Sequence, residues 1–300
     1  MYQRKTTTLI KSLLLATLLS NILIVSACSA ESSNTLILSN QSTPAEIYEL
    51  GLAYYEGNSV PQDYEKSFSL FKRAADQDYA PAKYDLGTMY YEGIAVEKDY
   101  KKAFKWFQQA ANQGYSKAQF NLGVMYHEGI TVEKDDLKTF KWLQRSANQG
   151  DADAQHHIGV MYHEGIGVEQ DYKKAMEWYV LAADNGSFDA QNNIGNLYEN
   201  GYGVTQSYTK ALDWYKKAAA QDLDLAQLNI GGLYENGYGV PQDYDKAFEW
   251  YKKAADQGNQ EASNRIGRLV MNGKIDDKDI VIYSTQETGL TLGDIEKMSQ

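Results

Sequence analysis

The chain has 300 residues, with 29 basic and 40 acidic side chains, and carries a formal charge of −11 at pH 7. Hydrophobic residues make up 43% and aromatics 12%, ample for a packed core, which excludes a disordered chain. The acidic balance argues against a nucleic-acid partner, and a single cysteine excludes a disulfide within one chain, so the fold must hold by packing.

The first segment is set apart by its composition. Arg4, Lys5 and Lys11 precede an apolar stretch from Leu13 to Val25, about 13 residues and too short to span a bilayer comfortably. It ends in Val25-Ser26-Ala27-Cys28, and a signal segment is predicted over residues 1–27. That run resembles the lipobox of bacterial lipoproteins. The resemblance implies that Cys28 becomes the lipidated first residue of the mature chain. Ser29 is similar to the residue at this place in lipoproteins sent to the outer membrane, where Asp is the usual retention signal. It implies a periplasm-facing, lipid-anchored envelope protein. The competing reading is an ordinary cleavage site after Ala27. Removal of residues 1–27 leaves 26 basic and 40 acidic residues, a formal charge of −14. Residues 28–43 are polar and read as a flexible tether.

From residue 44 onward a repeat dominates. Leu-Gly or Ile-Gly recurs every 36 residues at Gly51, Gly87, Gly123, Gly159, Gly195, Gly231 and Gly267. A tyrosine follows three residues after each of the first six glycines, and all five tryptophans (Trp106, Trp142, Trp178, Trp214, Trp250) share one register. Self-similarity this strict is the mark of a stacked-repeat solenoid. In the unit 152–187, Ala154, Ile158, Gly159 and Tyr162 line one face of a first helix. Gly159 costs about 1 kcal/mol of helix propensity against alanine. Its recurrence points to a neighbour lying too close for a side chain. Gly165-Ile166-Gly167-Val168 turns the chain, and Asp171 is placed to N-cap a second helix. That helix carries Tyr172, Ala175, Trp178, Tyr179, Ala182 and Ala183 on one stripe, with Trp178 expected in the core. Gly186 supplies a left-handed cap, a place taken by Asp78 and Asp222 in two units.

These residues resemble the Sel1-like repeat family: Ala152-x-Ala154-Gln155, Ile158-Gly159, Tyr162, Gly165-x-Gly167-Val168, Asp171-Tyr172, Ala175, Trp178-Tyr179, Ala182-Ala183 and Gly186. The resemblance covers residues 44–273, six units plus an extra first helix. It implies an all-α fold, a right-handed superhelical solenoid of helix-turn-helix repeats. It also implies a non-catalytic protein–protein interaction scaffold. Cysteine-rich relatives reported to bind β-lactams depend on a disulfide per repeat, which is absent here. Residues 274–300 lack the repeat. Ile280-Val281-Ile282-Tyr283 could pair as a short strand, but the tail is expected to cover the apolar edge of the last helix.

Positions that vary between repeats are where specificity should lie. On the first helices they form columns facing away from the second helices. One reads Tyr48, Tyr84, Phe120, His156, Asn192, Leu228, and another Tyr55, Tyr91, His127, His163, Glu199, Glu235. The predicted partner-binding groove therefore comprises Tyr48, Tyr55, Tyr84, Tyr91, Phe120, His127, His156, His163, Asn192, Glu199 and Glu235. All four histidines fall in two adjacent first helices, which raises a metal or proton-active site. His156 and His163 lie about 10.5 Å apart by helical rise, too far to share one zinc. The expected assignment has no catalytic residues, metal or cofactor, and another protein as partner. Two alternatives compete with it: an immunity-type neutraliser of a secreted toxin, and a hydrolase or metal-dependent enzyme using the histidines.

Overall fold

The computed structural model describes residues 42–275. The signal segment, Cys28, the tether through residue 41 and the Ile280–Tyr283 run lie outside the described residues. Among the described residues the regular structure is thirteen α-helices without a strand. The chain divides into two compact units, the first ending at Ser146 and the second beginning at Ala147.

The first unit carries α1 (Pro44–Glu56), α2 (Tyr64–Ala75), α3 (Ala80–Glu92), α4 (Tyr100–Asn112), α5 (Ser116–Glu128) and nearly all of α6 (Asp136–Ala147). From α1 to α5 each helix packs on the next in sequence. The second unit carries α7 (Ala152–Glu164), α8 (Tyr172–Asp184), α9 (Phe188–Asn200), α10 (Tyr208–Ala219), α11 (Asp224–Asn236), α12 (Tyr244–Ala255) and α13 (Gln260–Met271), again packed in consecutive pairs. Odd-numbered helices are the first helices of the repeats and even-numbered ones the second. Consecutive pairing of this kind makes the fold an all-α helix-turn-helix solenoid.

Local chemistry sets the helix ends. Asp63, Asp99, Asp171 and Asp243 each accept a backbone N–H three residues on, from Lys66, Lys102, Lys174 and Lys246. First helices stop at glycines in the left-handed region, as at Gly165 (φ 74°), where a side chain would be strained. At the other turn, Asp78 takes φ 65° in place of glycine. Its carboxylate pairs with Lys83, which is 5% exposed and stands where Gln119, Gln155, Gln191 and Gln227 stand in later repeats. The two departures from the motif compensate each other.

The recurring first-helix glycine has a specific cause. A Cβ on Gly51, Gly87, Gly123, Gly159, Gly195 or Gly231 would lie 2.5–2.9 Å from Phe71, Phe107, Leu143, Tyr179, Tyr215 or Tyr251 respectively. Each partner sits 20 residues after its glycine and is 0–2% exposed. The side chain lying on the glycine is thus the residue after the tryptophan. This corrects the expectation for Trp178, which is only half-buried, whereas Tyr179 is 1% exposed. The tryptophans instead cover junctions between repeats. In the second unit Trp214 packs on the cluster of Ala182, Ala183, Ala190 and Ile194, and Trp250 on that of Ala218, Ala219, Ala226 and Ile230. In the first unit Trp106 covers the cluster around Phe71, Ala82 and Leu86.

The fixed tyrosines also belong to the frame. Lys66, Lys102, Lys138, Lys174, Lys210 and Lys246 lie 5.1–5.6 Å from the ring centroids of Tyr54, Tyr90, Tyr126, Tyr162, Tyr198 and Tyr234. Each lysine stem covers a ring while its charge stays wet.

Candidate functional site: the variable face of the first helices

In the first unit the variable columns are aromatic and engaged with their neighbours. Tyr48 donates its hydroxyl to Asp85 of the next repeat (2.8 Å) and lies 5.4 Å from Phe71 and 5.3 Å from Tyr79 by ring centroids. Burial, followed by the charge of Asp85, pushes the Tyr48 hydroxyl well above its ordinary pKa. Tyr84 packs on Phe107 at 5.6 Å and Tyr115 at 5.3 Å, and burial pushes Tyr115 up to about 12. Phe120 is half-buried. Tyr55 and Tyr91 stand edge-on to Tyr64 and Tyr100 at 5.2 and 5.0 Å. His127 is 39% exposed, with Nδ1 3.4 Å from Asp136 and Nε2 3.9 Å from Glu128.

In the second unit the same columns are polar. Asn193 of the next repeat donates to Nε2 of His156 at 2.9 Å. Burial, aided by the neighbouring charge of His157, lowers the His156 pKa to about 4, so the ring is neutral at pH 7. His163 lies among Tyr172 (5.2 Å), Tyr202 (6.0 Å) and Tyr179 (6.4 Å), with Nε2 3.6 Å from Glu164. Its Nδ1 is buried without a hydrogen-bond partner. Asn192 accepts from Asn229 at 3.0 Å. Glu199 accepts the Tyr215 hydroxyl at 2.6 Å, and Glu235 accepts that of Tyr251 and lies 3.6 Å from Arg265.

Two rules emerge. First-column side chains (Tyr48, His156, Asn192) bond to the residue 37 positions on, tying each repeat to the next. In the column of Tyr55, Tyr91, Glu199 and Glu235 the side chain answers the core residue of its own repeat. Where it is Phe71 or Phe107 the column holds Tyr55 or Tyr91, and where it is Tyr215 or Tyr251 the column supplies a carboxylate to its hydroxyl. A buried hydroxyl needs such an acceptor. The predicted residues share one face within each unit, but that face does not point away from the second helices as expected. Tyr48, Tyr84, Glu199 and Glu235 meet the second-helix residues Phe71, Phe107, Tyr215 and Tyr251, and many of their polar atoms serve the stack. Sequence reasoning missed their partners Asp85, Asn193, Asn229, Tyr64, Tyr100 and Tyr172. Asp85, Asn193 and Asn229 lie 37 residues after Tyr48, His156 and Asn192, and Tyr64, Tyr100 and Tyr172 lie nine residues after Tyr55, Tyr91 and His163, so two constant offsets were the available signal.

Among the described residues no three His, Cys, Asp or Glu side chains group so as to hold a metal ion, and no helix is long and apolar enough to cross a membrane. An open cleft of about 670 Å³ in the second unit, lined by Lys216, Asp222, Gln227, Trp250, Lys253 and Asp256 among others, lies off the columns.

A family model described as the Sel1 repeat matches six consecutive segments, residues 47–79, 80–115, 116–151, 152–187, 188–223 and 224–259. Two solved structures are similar to this chain. A protective antigen present in uropathogenic Escherichia coli strains, displaying an SLR fold, is 39% identical with a TM-score of 0.71. The match covers 77% of this chain and 49% of that one, so this chain spans about half the length of that protein. A Sel1 repeat protein from Oxalobacter formigenes is 35% identical with a TM-score of 0.67, over 72% of this chain and 88% of that one. No curated protein matches.

Proposed function

The chain belongs to the Sel1 repeat family, and from that premise we propose that it is a non-catalytic scaffold of the bacterial cell envelope. It binds a partner protein on the variable face of its first helices. Sel1 and related helical-hairpin repeats mediate protein–protein interaction. One observation carries the reading. In a repeat that keeps its 36-residue period without an insertion, the first-helix columns change from Tyr and Phe to His, Asn and Glu. Tyr48, Tyr55, Tyr84, Tyr91, Phe120 and His127, the aromatic and imidazole groups of the first unit's part of that face, are all half-buried and keep part of their surface in solvent. Aromatic side chains offer large contact area and are enriched among binding hot spots.

Anchoring at Cys28 belongs to the same proposal. The diacylglyceryl and N-acyl chains of a lipoprotein attach firmly, whereas one chain is marginal. Cys28→Ser should move the protein from the membrane to the soluble fraction, and retention in the membrane would contradict the anchor. For the face, Tyr91→Ala is the probe, with its folding checked first because Tyr91 packs edge-on to Tyr100 and against the cluster of Ala103, Phe107 and Met125. Folded Tyr91→Ala should capture less partner from crosslinked envelope extracts than the wild type. Undiminished capture would move the binding surface off this face.

A further inference from the structure

Tyr202 and Tyr238 occupy one register in the Gly-Tyr-Gly-Val turns of two adjacent repeats. The same position is Asn58, Ile94, Ile130 and Ile166 in the earlier repeats, so the turn does not need a tyrosine. The two rings are 39% and 43% exposed. Each is backed by the tyrosine that opens the preceding second helix. Tyr202 stacks on Tyr172 at 4.7 Å and 12°, and Tyr238 on Tyr208 at 4.6 Å and 21°. His163 stands perpendicular to both rings of the first pair. The turns close tightly on these backing residues. A Cβ on Gly203 or Gly239 would lie 2.8 or 2.7 Å from the Cβ of Tyr172 or Tyr208. Two rigid aromatic platforms thus sit one repeat apart on the second unit.

Two facts select the occupant. Stacked helices lie roughly 8–10 Å apart. A polyproline II helix rises 3.1 Å per residue with three residues per turn, so it presents the same face every ~9 Å. One residue in three of such a ligand meets successive platforms. The charge is also uneven along the chain. Residues 147–275 hold 18 acidic and 11 basic residues, a net of −7, against 15 and 13, a net of −2, for residues 42–146. The unit with the platforms is the more acidic of the two and so favours a basic ligand more strongly.

We propose that Tyr202 and Tyr238 form a docking edge for a proline-rich, basic segment of a partner protein. The segment lies in the polyproline II conformation, with prolines three residues apart on the two stacked pairs. Such a segment is extended before binding, so ordering it is inexpensive, and exposed tyrosines are a recurrent surface for it. The proposal rests on the scaffold reading and adds the chemistry of one partner segment.

The test uses the full chain and Tyr202→Ile with Tyr238→Ile, a replacement that three other repeats already carry. Titration calorimetry measures binding of a peptide of about twelve residues with proline at every third position and two arginines. A peptide of equal charge with serine for proline and a neutral oligosaccharide serve as the other arms. The expected result is binding of the proline peptide alone, weakened at least about tenfold in the folded double variant. Equal binding by the variant, equal binding of the serine peptide, binding of the oligosaccharide instead, or no binding at all would each overturn the proposal. Capture of the native partner from extracts is scored separately. Wild-type capture retained by the double variant leaves the scaffold reading standing while this edge falls, and no capture by the wild type removes the scaffold reading itself.

Discussion

The contact between Gly87 and Phe107 predicts a change of sign in a double-mutant cycle. Phe107 is 2% exposed, and a Cβ on Gly87 would lie 2.6 Å from two of its ring carbons. Phe107→Ala removes a ring that no nearby side chain can replace, because its partner is a glycine, and should cost about 3–5 kcal/mol. Gly87→Ala in the wild type gains about 1 kcal/mol of helix propensity but must displace the ring, an overpacking cost of about 1–3 kcal/mol. Its net effect is destabilising. In the Phe107→Ala background the same methyl enters vacated space, so Gly87→Ala becomes stabilising by about 1 kcal/mol. The coupling energy should be about 1–3 kcal/mol, within the range of directly contacting residues. Urea denaturation of the four proteins measures it, and hydrogen exchange should place the damage mainly in α3, α4 and the adjoining helices. Trp106→Ala, at a half-buried site, should cost less than Phe107→Ala. Gly87→Ala having the same sign in both backgrounds would refute the argument that the ring excludes a side chain there.

Glu199→Ala should leave the buried Tyr215 hydroxyl without its acceptor and cost about 1–3 kcal/mol in denaturation, and adding Tyr215→Phe, the residue type of Phe71 and Phe107, should recover most of that loss. His156 is held neutral down to about pH 4 when folded, whereas an unfolded imidazole takes its proton near 6.5. Between those values the unfolded chain binds more protons. Stability should therefore be full above about pH 6.5 and fall by up to about 3 kcal/mol as pH drops towards 4. His156→Asn, the residue type of Asn192, should flatten that part of the pH profile measured by denaturation, and an unchanged profile would remove His156 as its source.

The repeat made the architecture legible because its spacing, caps and turns are local. The Asp171 cap and the left-handed Gly165 follow from chemistry confined to a few residues, and the 36-residue period extends it along the chain. What escaped is tertiary. A helical stripe is wide enough to hold both Trp178 and Tyr179, so periodicity cannot say which of them lies on Gly159. Size favoured the tryptophan, and the closeness of the paired helices favours its neighbour. The variable columns were legible as a face but not as bonded side chains. Tyr48 reaches Asp85 and His156 reaches Asn193 only because consecutive first helices stack within each unit. Tyr202 and Tyr238 read as turn residues, and nothing local reveals that each stacks on a ring 30 residues earlier.

The central claim is that a partner protein docks on the variable face of the first helices. A photocrosslinking residue at Tyr91 or His127 would report that face, and one at the exposed Lys105 or Lys141 would report the second helices. Irradiated in envelope extracts, the first pair should give a common protein adduct and the second pair none. Adducts formed only from Lys105 and Lys141 would contradict the account.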